Sequence, residues 1–165
     1  MPQLSQKITD AFNEQINMEL SSAYTYLAMS AYCDEQNLQG AASWLRIQWE
    51  EELAHATKLM KYMAERGSSV ALKAIGKPEA KFKSLLDVFQ QVLKHEQDVT
   101  ASIYRIMDLA TSEKDYAAQA LLQWYVNEQV EEENQPAEIL SMLKLAGDSG
   151  SGLMIVDRRL AERAR

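Results

Sequence analysis

The sequence predicts an all-α protein: a four-helix bundle with one long crossover between the second and third helices, followed by a short fifth helix. Three observations predict it. Four long segments repeat apolar residues at spacings of three and four. Only 6 Gly and 3 Pro punctuate 165 residues, too few for a chain of tight turns. One link between the long segments is far longer than the others. A chain of this length fits one domain with a substantial core. The whole of 1–165 is read as that domain, with the bundle over about 5–146 and the fifth helix over about 151–163.

The first helix runs from about Ser5 to Cys33, with Phe12, Ile16, Ala23 and Tyr26 on one face. Asn37 reads as the N-cap of the second, which runs from about Leu38 to Arg66 and carries Leu45, Trp49, Ala56, Leu59 and Met63 on its stripe. The third spans about Phe82 to Ala110, with Phe89, Val92, Leu93, Val99 and Ile103. Ser112 with Asp115 three residues on reads as a capping-box variant ahead of the fourth, about Glu113 to Ala146. In the fourth, Tyr125, Ile139 and Leu143 fall within roughly 40° of Leu121. Gly67 and Gly147 stand where C-terminal caps belong. The fifth segment, about Leu153 to Arg163, follows the break at Gly147-Asp148-Ser149-Gly150.

Link lengths set the topology. The first-to-second and third-to-fourth links are a few residues each, so those pairs are antiparallel hairpins. The stretch from Gly67 to Lys81 has about 15 residues and reaches roughly 50 Å when extended. A helix of about 28 residues is roughly 42 Å long. The long link therefore spans the bundle and starts the third helix parallel to the second.

Composition removes several function classes. The net charge of −7 and a pI of about 4.9 argue against a polyanionic nucleic-acid partner. No run approaches about 20 apolar residues, so no membrane span is expected. The first residues, MPQLSQKITD, do not resemble a secretion signal. The single cysteine, Cys33, can form no internal disulfide and no Cys-rich metal module, and it is read as structural. A cytoplasmic location is the expectation.

Most of the 24 acids read as solvated surface, but a few stand where apolar residues belong. Glu128 and Glu132 fall within roughly 20° of the Leu121 line. Glu96 sits among the apolar residues of the third helix, Glu52 and His55 share the stripe of the second, and Glu19 that of the first. Bundle packing brings these mid-helix positions to one level. A buried, unpaired carboxylate costs several kcal/mol unless it is paired, protonated or bound to metal. No Lys or Arg lies beside these acids on the stripes. Two divalent cations would balance Glu19, Glu52, Glu96 and Glu132. Glu52-x-x-His55 places a carboxylate and an imidazole one turn apart on one face. Alone such a pair is usually surface; its recurrence with mid-stripe acids on every long helix makes it a site. Mixed carboxylate and imidazole ligands suit iron, manganese or zinc. Tyr26, two turns beyond Glu19, is either plain core or a hydrogen-bond donor and electron source behind the ligands. His95 points away from the stripe and reads as solvent-exposed.

These residues resemble a known family. Asn17-Met18-Glu19-Leu20 with Tyr26, Glu51-Glu52-Leu53-Ala54-His55, Glu96, and the run Trp124 to Glu133 are similar to bacterial non-haem ferritins across nearly the whole chain. The resemblance implies a ferritin-like fold and a ferroxidase centre that oxidises two Fe(II) with O2 (or peroxide) and stores Fe(III) oxyhydroxide. It implies one iron held by Glu19, Glu52 and His55, and a second by Glu52, Glu96 and Glu132 with Gln129 close by. A third iron site would use Glu51, Glu128 and Glu131. It also implies a homo-oligomeric shell of 24 subunits, the fifth helix lining a four-fold axis. Bacterioferritins place a haem-binding Met directly after the second-helix Glu; here that position is Leu53, so no haem is expected.

Overall fold

The structure, a computed structural model, describes residues 3–163. Among them are five helices and no strand: α1 (Gln6–Glu35), α2 (Gln39–Glu65), α3 (Leu85–Ser112), α4 (Tyr116–Ala146) and α5 (Gly150–Leu160). α1 packs on α2 and on α3, α3 packs on α4, and α5 packs on both α2 and α4. The all-α bundle with one crossover and a short fifth helix is therefore what the chain adopts.

Helix ends follow the local chemistry, though not always at the expected residue. The Ser5 hydroxyl caps α1, accepting from the Ile8 amide at 3.2 Å. Asn37 is not an N-cap. It takes a left-handed φ of 59°, as Lys114 does at 57°, because each short hairpin link must reverse the chain within three residues. Leu38 then precedes α2 with no side-chain cap of its own. The cap comes from α5: Asp157 accepts from the Gly40 and Ala41 amides at 3.1 and 2.8 Å. Ser112 ends α3 by donating to the Leu109 carbonyl, and Asp115 alone caps α4, accepting from Ala118 at 2.9 Å. Asp115 also receives the buried Arg66 guanidinium through two bonds of 3.1 and 2.8 Å. α3 begins at Leu85 rather than Phe82, because Ser84 accepts from the Asp87 amide and Asp87 from that of Lys83.

The crossover between α2 and α3 carries no helix or strand. It is pinned to α1 by the buried side chain of Asn13, which donates to the Ser69 carbonyl at 3.2 Å and accepts from the Ala71 amide at 2.7 Å. Lys73 pairs with Glu14 further along.

The core is divided. One apolar cluster, including Met29, Trp44, Leu45, Phe89, Val92 and Leu143, fills the end of the bundle that α5 covers. Cys33 lies within it, and burial pushes its thiol up to about 12. The second cluster, including Phe12, Ile16, Leu59, Ile103, Leu122 and Tyr125, fills the other end. The polar centre lies between them.

α5 sits tightly against α2. A Cβ on Gly40 would lie 1.8 Å from the Asp157 carbonyl oxygen, and backbone there cannot yield without moving the helix. Gly40→Ala is therefore expected to cost roughly 1–3 kcal/mol in denaturant unfolding. Gly76→Ala, which meets open space, should be close to neutral.

Candidate metal centre

The centre is assembled from one stretch of each long helix. α1 contributes Glu19, α2 contributes Glu52 and His55, α3 contributes Glu96, and α4 contributes Gln129 and Glu132. All six side chains are buried, Glu19, Glu52 and Glu96 to within 1% of full burial. On α4 the buried line runs through Leu122, Tyr125, Gln129, Glu132, Pro136 and Ile139. Leu121 and Glu128, expected at its middle, are half-buried beside it. The polar Gln129 on the core line masked the true phase of the stripe. Pro136 has no N–H, so the Glu132 carbonyl loses its intrahelical donor just where Glu132 faces the centre.

Two groups of three side chains could each hold a metal ion: Glu19, Glu52 and His55, and Glu52, Glu96 and Glu132. In each, one ligand atom per residue lies within 4.8 Å of the others, and Glu52 belongs to both. A third group, His55, Glu128 and Glu132, adjoins them. The Glu52 carboxylate lies 3.7 Å from His55 Nδ1.

Amides and hydroxyls hold the carboxylates in place. Gln15 donates to Glu19 at 2.8 Å and in turn accepts from Ser102 at 2.6 Å. Gln48 donates to Glu132, and to Glu52 at 3.4 Å. The Tyr26 hydroxyl donates to Glu96, and Gln129 donates to Glu96 Oε2 at 3.3 Å. The Tyr125 hydroxyl reaches the His55 carbonyl at 2.8 Å, while Trp124 packs edge-on against the imidazole. Gln15 and Gln48 were not singled out from the sequence. Each stands four residues before its acid, one helical turn away, and that repeated Gln-x-x-x-Glu spacing was the available signal.

Electrostatics show what the centre lacks. Burial, and then the neighbouring carboxylates, raise Glu19 and Glu52 well above the usual carboxylate range. Burial pushes Glu96 up to about 7 and Glu132 to about 8. Burial and the surrounding carboxylates also raise the Tyr26 phenol, which stays protonated and serves Glu96 as a donor. Glu19 Oε2 is buried with no hydrogen-bond partner. An orphaned carboxylate oxygen beside an imidazole and a second carboxylate fits a divalent cation, as does the donor set as a whole.

The remaining expected residues lie at the rim. Glu51 is paired with Arg163, and Glu131 is exposed and accepts from Gln135 at 2.9 Å. Among the described residues neither joins a metal-competent group, whereas Glu128 does. His95 is not solvent-exposed. It is half-buried between α1 and α3, bonded to Ser22 and edge-on to Tyr26 with ring centroids 6.0 Å apart.

Fold and centre together define a class: a helical-bundle protein with paired carboxylate and imidazole metal sites in its core. Comparison with known proteins agrees. Residues 9–146 match the ferritin-like domain. The chain is 43% identical to a bacterial non-heme ferritin of Campylobacter jejuni over 94% of its own length and 93% of the relative's. It is 38% identical to one of Staphylococcus saprophyticus over 98% and 96%. It superposes with a TM-score of 0.96 on an open-pore ferritin of the archaeon Archaeoglobus fulgidus, at 42% identity over 98% and 99% of the two chains. The chain belongs to the ferritin family of iron-storage proteins.

The raised carboxylates set the pH response. Folded Glu96 and Glu132 titrate near 7 and 8, above about 4.3 for an unfolded glutamate, so the metal-free fold binds protons that unfolding releases. Their contribution is complete below the unfolded value and lost as pH rises through the folded ones. The melting temperature of metal-free protein should accordingly fall between pH 5 and 8. Two equivalents of Zn(II) should flatten that decline and release protons into a lightly buffered solution. A metal-free melting temperature that rises across this range would contradict it.

Proposed function

We propose that this chain is a ferroxidase subunit, oxidising Fe(II) in the bundle core and storing the Fe(III) product inside an oligomeric shell. One observation carries the reading: two three-residue ligand groups share Glu52, and a buried oxygen of Glu19, a member of the first, has no hydrogen-bond partner. Glu19, Glu52 and His55 hold one Fe(II). Glu52, Glu96 and Glu132 hold the other, with Gln129 beside it. Four carboxylates balance two divalent ions. Each iron gives one electron to O2, which takes up two protons and leaves as hydrogen peroxide, or to peroxide supplied in its place, which takes up two protons and leaves as two waters. Either way one turnover moves two electrons. The third positive charge on each oxidised ion exceeds what the four carboxylates balance. Water-derived hydroxide must make up the difference, which loosens the product from its protein ligands.

The chain's own groups do the holding. Gln15, Gln48 and Tyr26 keep the carboxylates aimed inward, and Trp124 and Tyr125 close the space behind His55. Tyr26, bonded to Glu96, also lies where a phenol could supply an electron. Glu51, Glu128 and Glu131 form a third iron site on the way out, with Glu128 the member nearest the centre. The shell is a homo-oligomer of 24 subunits, the compartment is the cytoplasm, and no haem, nucleic acid or membrane takes part. Among the described residues no helix is long and apolar enough to cross a membrane.

Two measurements test the reading. In stopped-flow oxidation, Glu52→Ala with His55→Ala should lose the fast phase of about two iron per subunit, slowing it at least about 100-fold. Undiminished oxidation would refute the site. Gel filtration separates a storage shell from a redox enzyme that stores nothing: 24 chains of 18.7 kDa exceed about 400 kDa. Aerobic iron loading should then yield mineral-filled particles in electron micrographs.

A further inference from the structure

Three residues past the end of α5, the chain returns to the centre. Arg163 lays its guanidinium over the Trp44 ring, 4.4 Å from the centroid. Nη1 donates to the Gln48 side-chain oxygen at 2.9 Å and to the Trp44 carbonyl at 3.3 Å. Nη2 donates to Glu51 Oε2 at 2.6 Å. The approach is fixed upstream, where Asp157 caps α2 and Gly40 admits the α5 backbone.

Two consequences follow from the direction of these bonds. With Arg163 on its oxygen, the Gln48 amide must turn its nitrogen toward Glu132 and Glu52, as observed. With Nη2 on Glu51, that carboxylate already has a cation beside it. Glu51 joins no metal-competent group among the described residues.

We propose that Arg163 is a displaceable latch: it occupies Glu51 and shuts the third metal site, and a cation that binds there drives it off and frees Gln48. This rests on the reading of Glu51 as a third-site ligand. A guanidinium does not deprotonate, so the latch opens at Glu51, where a cation competes for the carboxylate. Glu51 keeps 41% of its side chain exposed, which screens the pair and leaves it weak enough to lose to a divalent ion. Binding and release are reciprocal, so removing the arginine must tighten the third site by the amount the latch opposes it.

The test uses assembled, metal-free protein titrated anaerobically with Fe(II) in a calorimeter at fixed pH and salt. Wild type should bind two ions tightly and a third more weakly. Arg163→Gln should still fill the first two and bind the third about five- to ten-fold more tightly. Arg163→Lys, which keeps the charge but loses the fork and much of the stacking, should fall between. Glu51→Gln should remove the third ion and make Arg163→Gln silent. An unchanged or weakened third ion in Arg163→Gln, or no third ion in any variant, overturns the latch while the two-iron centre stands. Fewer than two ions in wild type overturns the parent reading and the latch with it. Should Arg163→Gln fail to assemble, unaltered protein decides: amide exchange over 161–163 must rise with the third equivalent of Zn(II), and no rise overturns the latch.

Discussion

Between the two apolar clusters of the bundle lies a layer of four carboxylates, one from each long helix, shut away from water. Each of those helices must interrupt its apolar stripe at the same height, so the layer depends on axial registry. Tight hairpins set that registry within α1–α2 and α3–α4. Between the hairpins it rests on a crossover clamped to α1 by Asn13 and on the Ser84 cap that starts α3 at Leu85. A helix shifted by one turn, about 5.4 Å, would carry its acid into a hydrocarbon cluster.

The donors around the layer are chosen to suit anions. Gln15, Gln48, Gln129 and Tyr26 all present N–H or O–H groups to carboxylate oxygens. They partly offset the burial that drives the acids toward protonation, and they leave an oxygen of Glu19 unserved. Neutral donors can orient charges without cancelling them. Without metal, protons supply part of that compensation; cations that displace those protons supply the rest.

Much of this was legible in the sequence, for identifiable reasons. Glu19, Glu52, His55, Glu96 and Glu132 stood out because an ionisable group on an apolar helical stripe breaks a strong local rule. The crossover was legible because its length had to match a helix. What escaped depended on tertiary placement. Asn37 has the chemistry of a cap, yet the neighbouring turn needed its left-handed tolerance more, and the cap came from Asp157, over a hundred residues away. His95 looked exposed on a single-helix wheel, but the groove between α1 and α3 covers it. Arg163 belongs to no stripe, so no periodicity could bring it to Glu51. The phase of α4 slipped because Gln129, a polar residue, occupies a core position.

Cys33 acquires a meaning from where it is kept. Thiols are oxidised as thiolates, and a thiol pushed up to about 12 inside an apolar cluster holds almost none of that form at neutral pH. On the proposed function, the subunit brings ferrous iron and dioxygen together amid reactive by-products, which attack exposed sulfur first. By sealing its one cysteine in hydrocarbon, the chain withdraws that sulfur from attack and from accidental cross-linking between neighbouring subunits.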